Sequence, residues 1–275
     1  MRLGRESTQA FCELFSLLKK HRELTFELAR REISDRYSGQ IMGTLWAFGH
    51  PLFMICLYVF VFGVVFKTRL GSTVEMPRDY TTYLLSGLVA WMGCQDGMVR
   101  SCTAITSHSA LVKQVTFPLE VLPAKSVLVS LQTLVISLGI LMFYMAVWGG
   151  GVPWTCVLLP VLVALQAVAL LGIAYVLASI GVYIRDTKDL MQWFSMAGIY
   201  LIPVVYLPTW IPPAFAPLVY LNPFSSLIWC YQDAIYFGRF EHPLAWVSNV
   251  LLSLGVFVVG YRLFRKLKPS FGNVL

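Results

Sequence analysis

Long unbroken runs of apolar residues constrain this chain more than any other feature of its sequence. The first and clearest run covers residues 46–66 and holds no Asp, Glu, Lys or Arg. A helix of about 20 apolar residues crosses the hydrocarbon core of a bilayer. Hydrophobic residues make up 57% of the chain and charged residues 13%, about half the charged share of an ordinary soluble domain. The sequence therefore predicts an all-α polytopic membrane protein, and excludes a soluble enzyme or a nucleic-acid-binding domain.

Six segments fit membrane-spanning helices, and the second is the weakest because it holds Gln95 and Asp96. The predicted spans are Trp46–Phe66, Tyr80–Val99, Val121–Trp148, Trp154–Tyr183, Leu190–Leu207 and Trp246–Phe264. Between the last two, Pro208–Pro243 is apolar but interrupted by prolines, a pattern that favours short re-entrant or interfacial helices. The predicted domains are an N-terminal arm (residues 1–45), a transmembrane domain (46–264) and a tail (265–275).

The distribution of basic residues predicts the orientation, because Lys and Arg concentrate on the cytoplasmic side of membrane proteins. With the N-terminus in the cytoplasm, 17 of the 21 Lys and Arg residues fall inside. The four that remain outside are Lys67, Arg69, Arg78 and Arg239. We therefore expect a multi-pass protein with both termini in the cytoplasm. The net charge of +7 is mostly a topology signal and needs no nucleic-acid partner.

Residues 23–37 predict an amphipathic helix on the cytoplasmic surface, ended by Ser38-Gly39. Its apolar residues recur at helical spacing and form one stripe: Phe26, Ala29, Ile33 and Tyr37. Two acid–base pairs stand four residues apart on the other side: Glu27–Arg31 and Glu32–Arg36. Such a helix is either a simple membrane anchor or a docking surface beside the first span.

The loop Arg100–Pro118 mixes hydroxyl, apolar and basic residues and can form a short helix that stops at the proline. It is either a plain connection or a helix that inserts into a groove of a partner protein.

Sequence signatures of catalysis are missing from this chain. No GxxxxGK[ST] loop is present, so we expect no ATP site. No metal-ligand spacing or catalytic motif stands out, and we expect no metal, cofactor or catalytic residue here. Asp96 is the one firm intramembrane charge, and Arg100 stands four residues later as a candidate ion-pair partner. An ion-driven transporter and an intramembrane hydrolase are therefore disfavoured.

Aromatic residues on two predicted spans share helix faces. Trp46, Phe53 and Phe60 are spaced by sevens on the first span, and Trp193 and Tyr200 share a face of the fifth. These rings either contact lipid and neighbouring helices or line a channel. Aromatic faces stack on the apolar faces of sugar rings, so a channel of this kind would suit a sliding polysaccharide.

Several segments in order along the chain resemble ABC-2 type permeases that export polysaccharides. The segments are Arg36–Trp46, His50-Pro51, Val59–Phe66, Val115–Pro123, Tyr183–Asp186, Asn222–Phe224 and Phe264–Phe271. O-antigen exporters are the branch that the chain resembles most, followed by capsule and teichoic-acid exporters. The resemblance begins at about residue 27 and leaves residues 1–22 unassigned.

The resemblance implies a homodimer that binds two copies of a separate ATPase, which would carry ATP and Mg. It implies a bacterial inner-membrane location and a substrate polymer on a polyprenyl diphosphate lipid. It also implies roles for three groups of residues. The substrate entrance would include Arg30, Arg31, Arg36 and Tyr37, and the ATPase-coupling helix would include Ser107, His108, Leu111, Val112 and Lys113. The periplasmic gate would include Trp210, Asn222, Pro223 and Phe224.

Two other kinds of protein remain as alternatives. An ABC-2 permease for another lipid or a drug is disfavoured by the aromatic-rich first span. A membrane-embedded glycosyl- or acyltransferase would need an acid or His cluster at the membrane face. The only dense charges, Arg185-Asp186 and Lys188-Asp189, fit a short solvated turn.

Overall fold

A computed structural model describes residues 16–274 except 18, 66–77, 113–116 and 209–210. The described residues form helices and turns, with no β-strand among them. The main helices are α1 (Arg22–Tyr37), α2 (Trp46–Tyr58), α3 (Tyr80–Cys102), α4 (Val121–Val147), α5 (Leu159–Tyr183), α6 (Thr187–Leu201), α7 (Pro223–Gln232) and α8 (Pro243–Leu267). Residues Val59–Val65 continue α2 as a π-helix.

Helix α3 is the centre of the bundle and packs against α4, α5, α6 and α7. The Asp79 side chain caps its first turn by accepting a hydrogen bond from the Thr82 backbone N–H. Most of the helix is buried, and Trp91 is fully enclosed with its indole N–H donating to the Ser195 carbonyl over 3.2 Å. A side chain at Gly97 would lie within 2.9 Å of Ser130 Oγ, so a glycine there lets α4 approach closely.

Helices α5 and α8 pack together more extensively than any other pair. They come close together at Gly172 of α5 and Gly260 of α8, where a Cβ on Gly260 would overlap the Gly172 carbonyl oxygen. Small residues at helix crossings let backbones come together in membrane proteins, where dispersion rather than the hydrophobic effect drives helix association.

Four helical stretches in the described part of the chain are long and apolar enough to cross a membrane. They are Gly43–Phe62, Val121–Val147, Trp154–Tyr183 and Pro243–Ser270, which correspond to the predicted first, third, fourth and sixth spans. Helix α3, the predicted second span, is long enough at 23 residues but carries Gln95, Asp96 and Arg100. The six-span count therefore stays a prediction.

The predicted fifth span, Leu190–Leu207, has the wrong boundary. Helix α6 ends at Leu201 after 15 residues, a length of about 22 Å at 1.5 Å per residue. Ile202 is extended, with φ −121° and ψ 154°, because the ring of Pro203 excludes the helical conformation from the residue before it. This helix alone is shorter than a bilayer core.

The proline-rich segment between α6 and α8 folds into short helices, Ala216–Tyr220 and α7, followed by a π-helical turn at Asp233–Phe237. Pro223 occupies the first turn of α7, where its missing N–H costs nothing. The buried Asp233 carboxylate accepts hydrogen bonds from the His242 backbone N–H (2.9 Å) and the Trp246 indole (3.0 Å), so it ties the turn to α8. The location of these helices relative to a membrane stays a prediction.

Candidate functional site

Two clefts flank the C-terminal half of α3. The first has a volume of about 760 Å³ and lies between α1, α3, α4 and the segment after α3. The second has a volume of about 530 Å³ and lies between α2, α3 and α6. Asp96 and Val99 line both clefts.

Glu32 of α1 lines the first cleft and bridges two cations. Its Oε2 lies 2.7 Å from Lys125 Nζ of α4, and its Oε1 lies 3.2 Å from Arg100 Nη1 of α3. The Lys125 side chain is only 3% exposed. An unpaired ammonium buried to that degree would be costly, so Glu32 supplies the counter-charge that docks α1 on the bundle.

This docking corrects part of the expected arrangement of α1, on which Ala29 is buried and Ile33 and Tyr37 are half-buried as the apolar stripe predicts. Thr25 and Ala29 are buried against the bundle, whereas Phe26, expected on the apolar stripe, is 64% exposed. Glu32 therefore points inward to Lys125 instead of pairing with Arg36 along the helix surface. The need to neutralise a buried charge on another helix outweighs an exposed i,i+4 pair, which contributes a few tenths of a kcal/mol.

The predicted pair between Asp96 and Arg100 is confirmed. Arg100 Nε donates to Asp96 Oδ1 over 2.9 Å, and Thr133 Oγ1 of α4 donates to Asp96 Oδ2 over 3.3 Å. Arg100 also reaches Glu32, so the acid of α3 and the acid of α1 share one guanidinium. A planar guanidinium with five donors suits such a bridge.

His108 joins this cluster from the segment after α3. Its Nε2 lies 3.0 Å from Lys125 Nζ, and its Nδ1 lies 3.2 Å from the Ala104 carbonyl oxygen. A lysine ammonium only donates, so Nε2 is the acceptor and the proton resides on Nδ1. Burial first, and then the Lys125 charge, lower the pKa of His108 below its ordinary value. We call Glu32, Asp96, Arg100, His108 and Lys125 the charge network.

The predicted coupling helix is present as two short turns, Thr106–His108 and Ser109–Val112. Ser107, His108 and Leu111 line the first cleft. Lys113 and the side chain of Val112 lie outside the described residues. The helical form of this segment agrees with the sequence, and its role stays a prediction.

The predicted entrance residues divide between the two clefts. Arg31 lines the first cleft and its Nε lies 3.8 Å from Asp35 Oδ2, both side chains being mostly exposed. Arg36 lines the second cleft, with its guanidinium 5.6 Å from the centre of the Tyr37 ring. Arg30 is exposed and lies outside both clefts.

The predicted channel aromatics of α2 do not line either cleft. Trp46, Phe53 and Phe60 are 42%, 65% and 58% exposed on the outer side of the single chain. Trp193 is 72% exposed, whereas Tyr200 does line the second cleft. This outer face is available to lipid or to a second copy of the chain.

Besides Arg36 and Tyr200, the second cleft is lined by polar side chains that sequence reasoning did not select. From α2 it receives His50 and Tyr58, from α3 Gln95, and from α6 Gln192. Polar residues are rare in predicted spans, so His50, Gln95 and Gln192 carried a signal that could have located this cleft.

The predicted gate residues surround the start of α7. Asn222 Oδ1 accepts from the Phe224 backbone N–H over 3.0 Å, and its amide donates to the Leu201 carbonyl at the end of α6 over 3.3 Å. The Phe224 ring packs edge-on against Trp91 of α3 at 5.4 Å. Trp210 lies outside the described residues.

An all-helical bundle with several span-length apolar helices in the described part of the chain defines a multi-pass membrane protein, and polar clefts lie between its helices. The sequence model of the ABC-2 type transporter family matches residues 23–236, from α1 into the turn after α7. The chain therefore belongs to the ABC-2 type transporter family.

Two relatives illustrate where in that family the chain falls. It is 30% identical over 242 residues to the O-antigen export system permease protein RfbA of Myxococcus xanthus, an alignment that covers 86% of this chain and 90% of that protein. It is 22% identical over 258 residues to a protein of the same name from Klebsiella pneumoniae, covering 92% of this chain and 95% of that protein.

Proposed function

We propose that this chain is the permease subunit of an ATP-driven exporter that moves lipid-linked O-antigen across the bacterial inner membrane. The observation that carries the proposal is the similarity to O-antigen export permeases along nearly the whole chain, including 30% identity over 86% of its length. The apolar helices and the polar clefts between them are consistent with a transport role.

The energy source would be a separate ATPase subunit. The chain has no GxxxxGK[ST] motif to cradle nucleotide phosphates, so ATP and Mg would bind on that partner. Two permease chains and two ATPases would form the complex. The exposed aromatic side of α2, with Trp46, Phe53 and Phe60, is a surface that a second permease chain could cover.

The second cleft is the better candidate for the glycan path. Arg36 lines it, and arginine can bind phosphate oxygens bidentately, as recognition of a diphosphate lipid headgroup would use. Tyr58 and Tyr200 also line it and offer rings for weak stacking on sugars with hydroxyls for hydrogen bonds. Gln95 and Gln192 add neutral polar groups that do not hold a sliding polymer strongly.

Complementation tests this function directly. The chain and a candidate partner ATPase would be expressed in a strain whose own O-antigen permease is deleted, and surface polymer would be measured with an O-antigen antibody. We expect polymer only when both subunits are present and the ATPase retains its catalytic site. Surface polymer without the ATPase would contradict the proposal, as would intracellular accumulation with both subunits present. Export of capsule or teichoic acid in its place would assign a different polymer.

A further inference from the structure

We propose that Lys125 is a positioning residue that transmits movement from the Thr106–Val112 segment to α1 and thereby to the second cleft. The inference rests on the proposed function and on the ATPase-coupling role that the family resemblance implies for this segment. Neither Lys125 nor Glu32 is among the residues predicted for the coupling helix or for the substrate entrance.

Lys125 touches both elements with one ammonium group. Its Nζ lies 3.0 Å from His108 Nε2 in the segment and 2.7 Å from Glu32 Oε2 in α1. Because the lysine stem is buried in α4, the ammonium has little freedom to follow one partner away from the other. Hydrogen bonds weaken steeply beyond these distances, so a displacement of His108 must either move Glu32 or break a bond.

Glu32 relays that displacement toward the second cleft. It stands one helical turn before Arg36 on α1, and Arg36 lines the second cleft. Residues four apart lie on the same side of a helix, so a shift of α1 at Glu32 moves Arg36 with it. Glu32 also shares Arg100 with Asp96, which lines both clefts, so the same shift alters the charge at the wall between them.

An ion pair that includes the buried Lys125 ammonium carries a desolvation penalty, and it is not needed if its sole role is to attach α1 to the bundle. Apolar residues of similar volume often hold two elements together as well or better. Unlike an apolar contact, this paired charge has discrete arrangements. The Lys125 ammonium either bonds both His108 and Glu32 or loses one of them. Discrete alternatives of this kind allow one element to bias another.

Replacing Lys125 by Met keeps the length of the side chain and removes the charge. In the permease–ATPase complex, we expect Lys125→Met to assemble, to hydrolyse ATP at the wild-type basal rate, and to lower surface polymer about tenfold, within the usual range of coupling between sites. Glu32→Gln is expected to do the same, and the double variant to be no worse than either single one. Two losses that multiply would overturn the proposal.

Lys268→Met is the matched control. Lys268 Nζ pairs with Glu120 Oε1 at 2.7 Å, the same length as the Lys125 pair, but Glu120 belongs to neither α1 nor the Thr106–Val112 segment. We expect this variant to keep both hydrolysis and export. If it loses export as severely as Lys125→Met, the effect is general destabilisation and the proposal is wrong.

A distance measurement separates transmission from simple attachment. Spin labels at the exposed positions Ser34 of α1 and Val161 of α5, in a complex whose native cysteines are replaced, report the position of α1 by pulsed EPR. We expect ATP to change this distance in the wild type and not in Lys125→Met or Glu32→Gln. An equal change in all three would overturn the inference even if O-antigen export holds, whereas failure of the wild type to export O-antigen would overturn the proposed function.

Discussion

Gly260 of α8 lies so close to Gly172 of α5 that a Cβ on Gly260 would overlap the Gly172 carbonyl oxygen. The overlap would be with backbone, which cannot rotate away as a side chain can. The crossing of the two helices therefore depends on glycine at this point.

Gly260→Ala should destabilise the protein, by about 1–3 kcal/mol or more, as inserting an atom into a closely packed contact does. Gly255→Ala is the matched control, because Gly255 lies on the same helix with open space where its Cβ would be. Alanine is also the better helix former. We expect the Gly260 variant to lose membrane abundance and to aggregate at a lower temperature in detergent, while the Gly255 variant matches the wild type. Equal stability of the two would refute the packing argument.

Tyr58→Leu should reduce O-antigen export, whereas Phe53→Leu should leave it nearly unchanged. Both residues are on α2, but Tyr58 lines the second cleft and Phe53 is 65% exposed on the other side. Leucine retains apolar volume in both cases and removes the aromatic ring that would stack on sugars. Surface polymer would be measured against membrane abundance by immunoblot. A larger loss in Phe53→Leu would return the glycan path to the outer aromatic face predicted from the sequence.

Acidification should lower the stability of the folded protein through protonation of His108. Burial and the Lys125 charge lower the pKa of His108 in the folded protein, so the unfolded state binds its proton more readily. Stability is therefore present above the ordinary pKa of about 6.5 and decreases as the pH falls from there toward the lowered folded pKa. We expect thermal unfolding of the wild type to shift downward between about pH 7.5 and 5.5, and His108→Gln to shift less. Parallel shifts in the two proteins would remove His108 from this role.

Both termini should lie in the cytoplasm, because 17 of 21 Lys and Arg residues then fall inside. A reporter that is active only in the cytoplasm should be active when fused after Leu275. A reporter that is active only in the periplasm should be active when inserted at Gly71. Both positions lie outside the described residues. Reversed labelling would invert the orientation and move the charge network to the periplasmic side.

Local patterns in the sequence predicted local structure well. The fourth predicted span, Trp154–Tyr183, matches a helical stretch with the same bounds, since a continuous apolar run specifies both length and burial. The pair of Asp96 and Arg100 followed from spacing alone. Helix α1 begins one residue before its predicted start and ends at the predicted Tyr37.

Contacts between distant segments could not be predicted in the same way. Lys125 and Glu32 are far apart in sequence, and nothing in the neighbourhood of either residue indicates the other. Spacing by sevens predicts that Trp46, Phe53 and Phe60 share one face, but periodicity does not say which neighbour a face meets. The second cleft forms where three helices come together, and its polar lining becomes a set only in the folded chain.

Asp96 and Val99, which line both clefts, limit how the transporter can be redesigned. With the second cleft as the proposed glycan path, a substitution at either position made to accept a different sugar polymer would also change the wall beside Glu32 and Lys125. We therefore expect it to alter polymer selectivity and coupling to ATP hydrolysis together. His50 and Gln192 line only the second cleft. Mutant libraries that aim to change the exported polymer while keeping export coupled to ATP hydrolysis should vary those two positions first.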